Sequence, residues 1–280
     1  MRVKYYYSSK LARKNRKPDN INAHRIPFPK LAREVIQKSD ILLEVLDARF
    51  IDKTRNLELE KEASRLGKKI IFVLNKADLI SVSDLKLNYD LTSLQPYVLF
   101  SSKNKIGRAR LRQVINIEAS KIKFDQVKVG VIGYPNTGKS TLINILAGGK
   151  RAGTSPRAGF TKAIQKIRFN KKIIILDSPG VISEDEINSI NAKIVKKQTE
   201  IGVKNYDMVK YPDLIINEIM KEHSTIFDKF YGVDSEGDVE LLLEKLGRKW
   251  KFLKKKGEVD YDRTARKILK DWQEGKTRKS

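Results

Sequence analysis

Short aliphatic runs separated by longer polar stretches dominate the middle of the chain: Ile41 to Leu46, Ile70 to Leu74, Tyr97 to Phe100, Val127 to Ile132, Ala163 to Phe169 and Lys172 to Leu176. Runs of this length, rich in Ile and Val with helix-length spacers, predict mostly parallel strands buried beneath helices, the α/β arrangement. The last two runs differ, because only Asn170 and Lys171 lie between them. A two-residue connection requires a hairpin, so the predicted six-stranded sheet carries an antiparallel edge. Beyond about Glu184 the strand pattern stops. Ile187 to Ile201, Pro212 to Lys221, Val239 to Leu246 and Asp262 to Trp272 carry apolar residues at three-to-four spacing, which predicts an all-helical region. No repeat of fixed period is visible, which sets aside solenoids and propellers.

Composition changes this picture in three ways. Across 280 residues the hydrophobic fraction is 40% and the aromatic fraction 8%, enough for two modest cores and against wholesale disorder. There is no cysteine, which excludes disulfide frameworks, thiolate metal sites, iron–sulfur clusters and cysteine nucleophiles. The 58 Lys and Arg against 34 Asp and Glu leave a formal charge of +24, which calls for a polyanionic partner. A membrane surface would want basic residues opposite an apolar helix face, whereas here they are spread over several regions, so nucleic acid is the better reading. Met1 to Lys17 lacks the apolar core of a secretion signal, and the longest aliphatic or aromatic run, Ile70 to Leu74, is too short to span a bilayer. The expectation is a soluble, cytoplasmic, monomeric protein without a membrane partner.

The charge is uneven. Residues 1–39 hold eleven basic and two acidic side chains, and residues 244–280 hold fourteen basic and six acidic ones. The candidate polyanion contacts are the arm Lys10 to Lys17, the loop region Lys103 to Arg112, and the tail Lys249 to Lys256. In the tail, Trp250 and Phe252 would either stack on unpaired bases or belong to the core of the helical region.

Val127 to Ile132 runs straight into Gly133-Tyr134-Pro135-Asn136-Thr137-Gly138-Lys139-Ser140 and then Thr141-Leu142-Ile143-Asn144-Ile145-Leu146. Strand, glycine loop and helix in this order make a phosphate-binding loop: glycines let backbone amides close on phosphate, Lys139 reaches the terminal phosphate, and the Ser140 hydroxyl holds magnesium. Asn136, Thr137, Gly138 and Thr141 complete the cradle. Ile173 to Leu176 leads into Asp177-Ser178-Pro179-Gly180, which places the Asp177 carboxylate beside that loop as a second magnesium contact. Between the two, Thr161 ends a basic loop and would add its hydroxyl to the magnesium.

Ile70 to Leu74 ends in Asn75-Lys76-Ala77-Asp78, a tetrapeptide that resembles the guanine-reading signature of GTPases. Guanine offers its N1 hydrogen and exocyclic amine side by side, and one carboxylate, Asp78, accepts both. Asn75 and Lys76 would brace the loop and cover the base. Tyr97 to Phe100 ends in Ser101-Ser102-Lys103, similar to the loop whose backbone amide, here that of Ser102, contacts the guanine oxygen.

These motifs stand in an unusual order, base-reading loops before phosphate loop, and in this order the chain resembles the circularly permuted ribosome-assembly GTPases of the YlqF/RbgA type. The resemblance also rests on Lys30-Leu31-Ala32-Arg33-Glu34-Val35, Val45-Leu46-Asp47-Ala48-Arg49, Leu246-Gly247-Arg248-Lys249 and Gly257 to Thr264. It implies a basic arm over residues 1–24, a circularly permuted P-loop GTPase domain over 25–184 and a helical RNA-binding domain over 185–280. It further implies GTP or GDP with Mg2+ as ligands, hydrolysis during maturation of the large ribosomal subunit, and contact with rRNA. Asn136 matches the position that holds K+ in potassium-activated relatives. Where many GTPases carry a water-orienting glutamine after the Asp-x-x-Gly turn, this chain has Val181, so intrinsic hydrolysis is expected to be slow and stimulated by the subunit. The catalytic set is then Lys139, Thr161 and Gly180. The family's Pro-Gly-His-Met histidine is missing from Pro27-Phe28-Pro29-Lys30-Leu31, and His24 is the substitute on offer. Two other readings stay open: an ATPase or small-molecule kinase sharing the phosphate loop, and an RNA-binding scaffold in which guanine nucleotide is only a structural or regulatory ligand.

Overall fold

A computed structural model describes residues 28–149, 164–178, 197–202, 204–223, 225–255 and 257–278. The arm over 1–24 with His24, the loop that ends in Thr161, and the turn residues Gly180 and Val181 lie outside the described residues.

The strands are β1 (Ile41–Asp47), β2 (Lys69–Asn75), β3 (Tyr97–Leu99), β4 (Val127–Ile132), β5 (Gln165–Arg168) and β6 (Ile173–Asp177), in the spatial order β3-β2-β1-β4-β6-β5. All neighbours are parallel except β5 and β6, the expected hairpin. β1 is buried along its whole length, the signature of a strand covered on both faces. Helices α1 (Phe28–Lys38), α2 (Ile51–Thr54), α3 (Leu57–Arg65), α4 (Val82–Asn88), α5 (Arg108–Ser120) and α6 (Lys139–Leu146) supply that cover. On one face Leu111, Ile115, Leu142 and Ile143 close over Leu43, Val45, Val73 and Val129. On the other, Ala32, Val35, Ile36, Leu59 and Ala63 close over Leu42 and Ile132.

Gly130 is where α1 rests on the sheet. A Cβ there would lie 2.3 Å from Ser39 Oγ and 2.8 Å from Val35 Cγ1, so Gly130→Ala must lift the helix. We expect a loss of about 1–3 kcal/mol of stability, the usual cost of overpacking, read as a lower denaturation midpoint at unchanged m-value.

Glu44 interrupts β1 yet is fully buried. Its Oε1 accepts from the Asn56 amide at 3.0 Å, at the start of α3, while Oε2 has no hydrogen-bond partner among the described residues. Burial, then the nearby Glu60 carboxylate, pushes its carboxyl well above the ordinary value, against the Asn56 amide and Arg55. A folded-state pKa above the unfolded one means that stability is greatest below the unfolded pKa, about 4.3, and is lost as pH rises through the folded value. Glu44→Gln keeps the acceptor and removes that loss. The variant should therefore gain about 1 kcal/mol at neutral pH, with the gain shrinking toward pH 4; a thermal melt series across pH checks it.

The C-terminal region is helical, with α7 (Pro212–Glu222), α8 (Ile226–Tyr231), α9 (Val239–Lys249) and α10 (Tyr261–Gln273). Its core holds Ile216, Phe227, Leu242, Leu246, Ile268, Leu269 and Trp272, and also Phe50 and Tyr134 from the sheet's carboxyl edge. Trp250 and Phe252 line the flank of this core. Trp250 packs edge-on to Tyr231 at 5.2 Å, and the Arg263 guanidinium lies 4.1 Å over the Phe252 ring. No helix among the described residues is long and apolar enough to cross a membrane.

Candidate functional site

The parallel strands β1, β2, β3, β4 and β6 point the same way, so the loops that follow them gather on one edge. Ligands of open α/β sheets bind at that carboxyl edge, at the switch in strand order. Among the described residues, the phosphate loop, Asn75 to Asp78, Ser101 to Lys103 and Asp177 stand on it.

The phosphate loop follows β4. Gly133 at φ 139°, Asn136 at φ 61° and Gly138 at φ 99° turn the backbone where most side chains are strained. Such alternation makes a concave row of amides fit for an anion. A Cβ on Gly133 would lie 2.5 Å from the Val45 carbonyl, and one on Gly138 would lie 2.2 Å from Asn75 Nδ2. Lys139 opens α6 and is almost fully buried; its Nζ donates to the Gly133 carbonyl at 2.9 Å and the Tyr134 carbonyl at 2.6 Å. Burial draws its ammonium below the ordinary value, with Asp177 offsetting part of the effect. Thr141 is exposed.

Asp177 ends β6, fully buried, with both carboxylate oxygens lacking a hydrogen bond of normal geometry among the described residues. Burial pushes its carboxyl up, opposed by Lys139 and by the nearby Ser140 hydroxyl. Two orphaned hard oxygens beside a hydroxyl fit a magnesium ion. They would take it with Ser140, and a cation there would restore the ordinary acidity of Asp177.

The base-reading loop follows β2. Asn75 is the brace between the two halves of the site: Nδ2 donates to the Thr137 carbonyl at 2.6 Å, and Oδ1 accepts from the Ser102 amide at 3.2 Å and its hydroxyl at 3.1 Å. Asp78 accepts from the Ser101 hydroxyl at 2.7 Å, which fixes its carboxylate. Ser101 Oγ in turn accepts from the Asn104 amide, and Lys103 is exposed at the rim. Lys76, at φ 60°, folds its side chain back so that Nζ donates to Asp47 Oδ2 at 2.7 Å.

Asp47-Ala48-Arg49, a motif that the sequence marks behind its strand and for which an ion pair closing the loop is one expected role, stands at this edge and forms that pair. Asp47 pairs in register with Asn75 and is fully buried. Arg49 Nε and Nη2 donate to its two oxygens at 2.9 and 2.7 Å. Arg49 and Lys76 hold the Asp47 carboxyl far below the carboxylate range against the cost of burial. The signal was an acid at a strand end followed two residues later by arginine. Asn136 is likewise engaged, its Nδ2 donating to the Gly202 carbonyl at 2.6 Å. Of the basic loop, Arg112 is committed to the Leu146 carbonyl at 2.6 Å and to the Phe169 ring at 4.4 Å.

Known proteins match this arrangement. The family described as 50S ribosome-binding GTPase matches residues 128–235. The GDP-bound structure of TM YlqF superimposes with a TM-score of 0.60 at 25% identity, covering 87% of this chain and 94% of that one. The chain belongs to the circularly permuted GTPases of the YlqF type. GNP-bound YlqF from T. maritima shares the fold of this permuted GTPase, with TM-score 0.60, 22% identity, and coverage of 89% and 94%. The uncharacterized GTP-binding protein MJ1464 of Methanocaldococcus jannaschii is 38% identical over 257 residues, 90% of this chain and 66% of that protein. Nucleolar GTP-binding protein 2 of Yarrowia lipolytica is 35% identical over 260 residues, 87% of this chain and 48% of that protein. The chain thus spans about two thirds of the first relative and about half of the second.

Proposed function

We propose that this permuted GTPase is a cytoplasmic, monomeric GTP hydrolase that serves as a switch in assembly of the large ribosomal subunit and binds its rRNA. The observation that carries the guanine half is Asn75, whose amide ties the phosphate loop to both base-reading loops. Asp78 then selects guanine, Ser102 and Lys103 border the base, and Thr137, Gly138, Lys139 and Thr141 receive the phosphates. Ser140, Asp177 and Thr161 hold the Mg2+ that neutralises charge developing on the phosphates. In catalysis Lys139 binds the terminal phosphate, and Thr161, Gly180 and His24 complete the catalytic set. Asn136 offers a carbonyl oxygen to K+. The ribosomal half rests on the charge of +24 and on the described family and nucleolar relatives.

The test is GTP turnover in potassium buffer, with and without large ribosomal subunits, beside Lys139→Ala. The expected result is slow intrinsic hydrolysis, accelerated at least tenfold by subunits and absent in the variant. Unchanged turnover with subunits would replace the ribosome with another polyanion. Hydrolysis absent from wild type under all conditions would leave the RNA-binding scaffold that Val181 favours. Equal turnover in sodium buffer would remove the potassium role of Asn136.

A further inference from the structure

The base-reading loop and the end of the helical region meet at one buried joint. Asp47 Oδ2 is shared by Lys76 Nζ and Arg49 Nη2, each at 2.7 Å. Arg49 is itself buried, and its remaining arm, Nη1, reaches the Trp272 carbonyl at 3.5 Å in the last turn of α10. A second, independent observation concerns Gly275, just past that turn. A Cβ there would lie 2.6 Å from Leu79 Cδ1 and 3.1 Å from Arg49 Nη1, so the end of α10 presses on the residue next to Asp78. Phe50 adds an aromatic contact, its ring 6.2 Å from that of Trp272 and 5.1 Å from the Arg49 guanidinium.

We propose that Arg49 is a positioning residue that couples occupancy of the base-reading loop to the seating of the C-terminal end of α10. The inference rests on the guanine reading above and deepens it. Lys76 covers a bound base from a position set by Asp47. Any shift of Lys76 redistributes the shared carboxylate, and the guanidinium fork carries that shift to the α10 carbonyl. Only a planar fork serves both ends; an ammonium at the same position satisfies Asp47 and gives up the contact to the Trp272 carbonyl. Coupling is reciprocal, so whatever seats α10 tightens guanine binding by the same factor. A parallel route exists from the phosphate loop through Asn136 to Gly202, and the experiment separates the two.

Backbone hydrogen exchange is followed in the full-length protein at Glu274 and Gly275, whose amides bond to the Lys270 and Trp272 carbonyls. Saturating GMP, GDP and pyrophosphate are compared. GMP and GDP are expected to slow exchange at least fivefold, and pyrophosphate is not. Arg49→Lys is expected to bind GDP and lose that protection. Gly275→Ala, which wedges the joint from the helical side, is expected to weaken GDP binding about tenfold. Protection by pyrophosphate and not by GMP would overturn the proposal in favour of the Asn136 route. So would full protection in Arg49→Lys, or wild-type GDP affinity in Gly275→Ala. If the wild type binds neither guanine nucleotide, the guanine reading itself falls and takes this proposal with it; binding without protection sinks the coupling alone.

Discussion

Gly138→Ala is expected to reduce guanine-nucleotide affinity by at least a hundredfold while the protein stays folded. The argument is geometric. At φ 99° any L side chain is strained, a cost of about 1–2 kcal/mol, and the added Cβ would stand 2.2 Å from Asn75 Nδ2. Asn75 must leave. With it go the 2.6 Å bond to the Thr137 carbonyl and the acceptor for the Ser102 amide, so the base loop and the phosphate loop lose their common brace. Each factor of ten in affinity is about 1.4 kcal/mol, and two misplaced halves of one site exceed two such steps. The surrounding sheet is held by contacts that Asn75 does not make, so the thermal midpoint should fall by only a few degrees. Titration with a fluorescent GDP analogue, beside a melt, decides it; affinity within threefold of wild type would mean that Asn75 braces nothing.

The frame of this site was legible because burial of strands on both faces leaves uninterrupted Ile and Val runs, and because each motif had to stand at a strand's carboxyl end to work. The hairpin followed from the two-residue gap at Asn170 and Lys171. Three things were hidden for physical reasons. Helix α8 is a six-residue element without a side-chain cap, held by Phe227 against Trp272 at 5.7 Å, and tertiary contact rather than local pattern makes it. Glu44 is the one charged side chain inside the Ile41 to Leu46 run, and the partner that receives it there, the Asn56 amide twelve residues on, is not readable from the strand pattern. Arg49 is visible in the sequence as the end of the Asp47-Ala48-Arg49 motif, but its burial is not. Its burial depends on the register that sets Asp47 beside Asn75 and on α10 arriving from over two hundred residues away. Trp250 and Phe252 stood between core and RNA contact. Each is half-buried, each has a cation over its ring, and this fits a packed flank better than free stacking platforms.

Base specificity should be transferable with one atom-pair change. In Asp78→Asn the carboxylate that accepts two guanine donors becomes an amide with one acceptor and one donor face. The donor then meets the guanine N–H groups, and a buried donor–donor clash replaces a charge-assisted pair. Sites built to satisfy polar groups reject a mismatched partner by about 10⁴-fold when those groups are left unpaired, and a single good bidentate contact is worth about 1–3 kcal/mol. We therefore expect GDP affinity to fall by at least about a hundredfold. Xanthine carries an oxygen where guanine carries its amine, so xanthosine diphosphate should gain what GDP loses. Ser101 keeps its place in either case, because its hydroxyl serves the remaining oxygen of residue 78 as it serves Asp78 Oδ1 and also receives the Asn104 amide. Competition of the two diphosphates for the variant measures the switch directly. Equal loss of both would show that residue 78 supports the loop without reading the base, and retained preference for GDP would move the reading to Ser102 and Lys103.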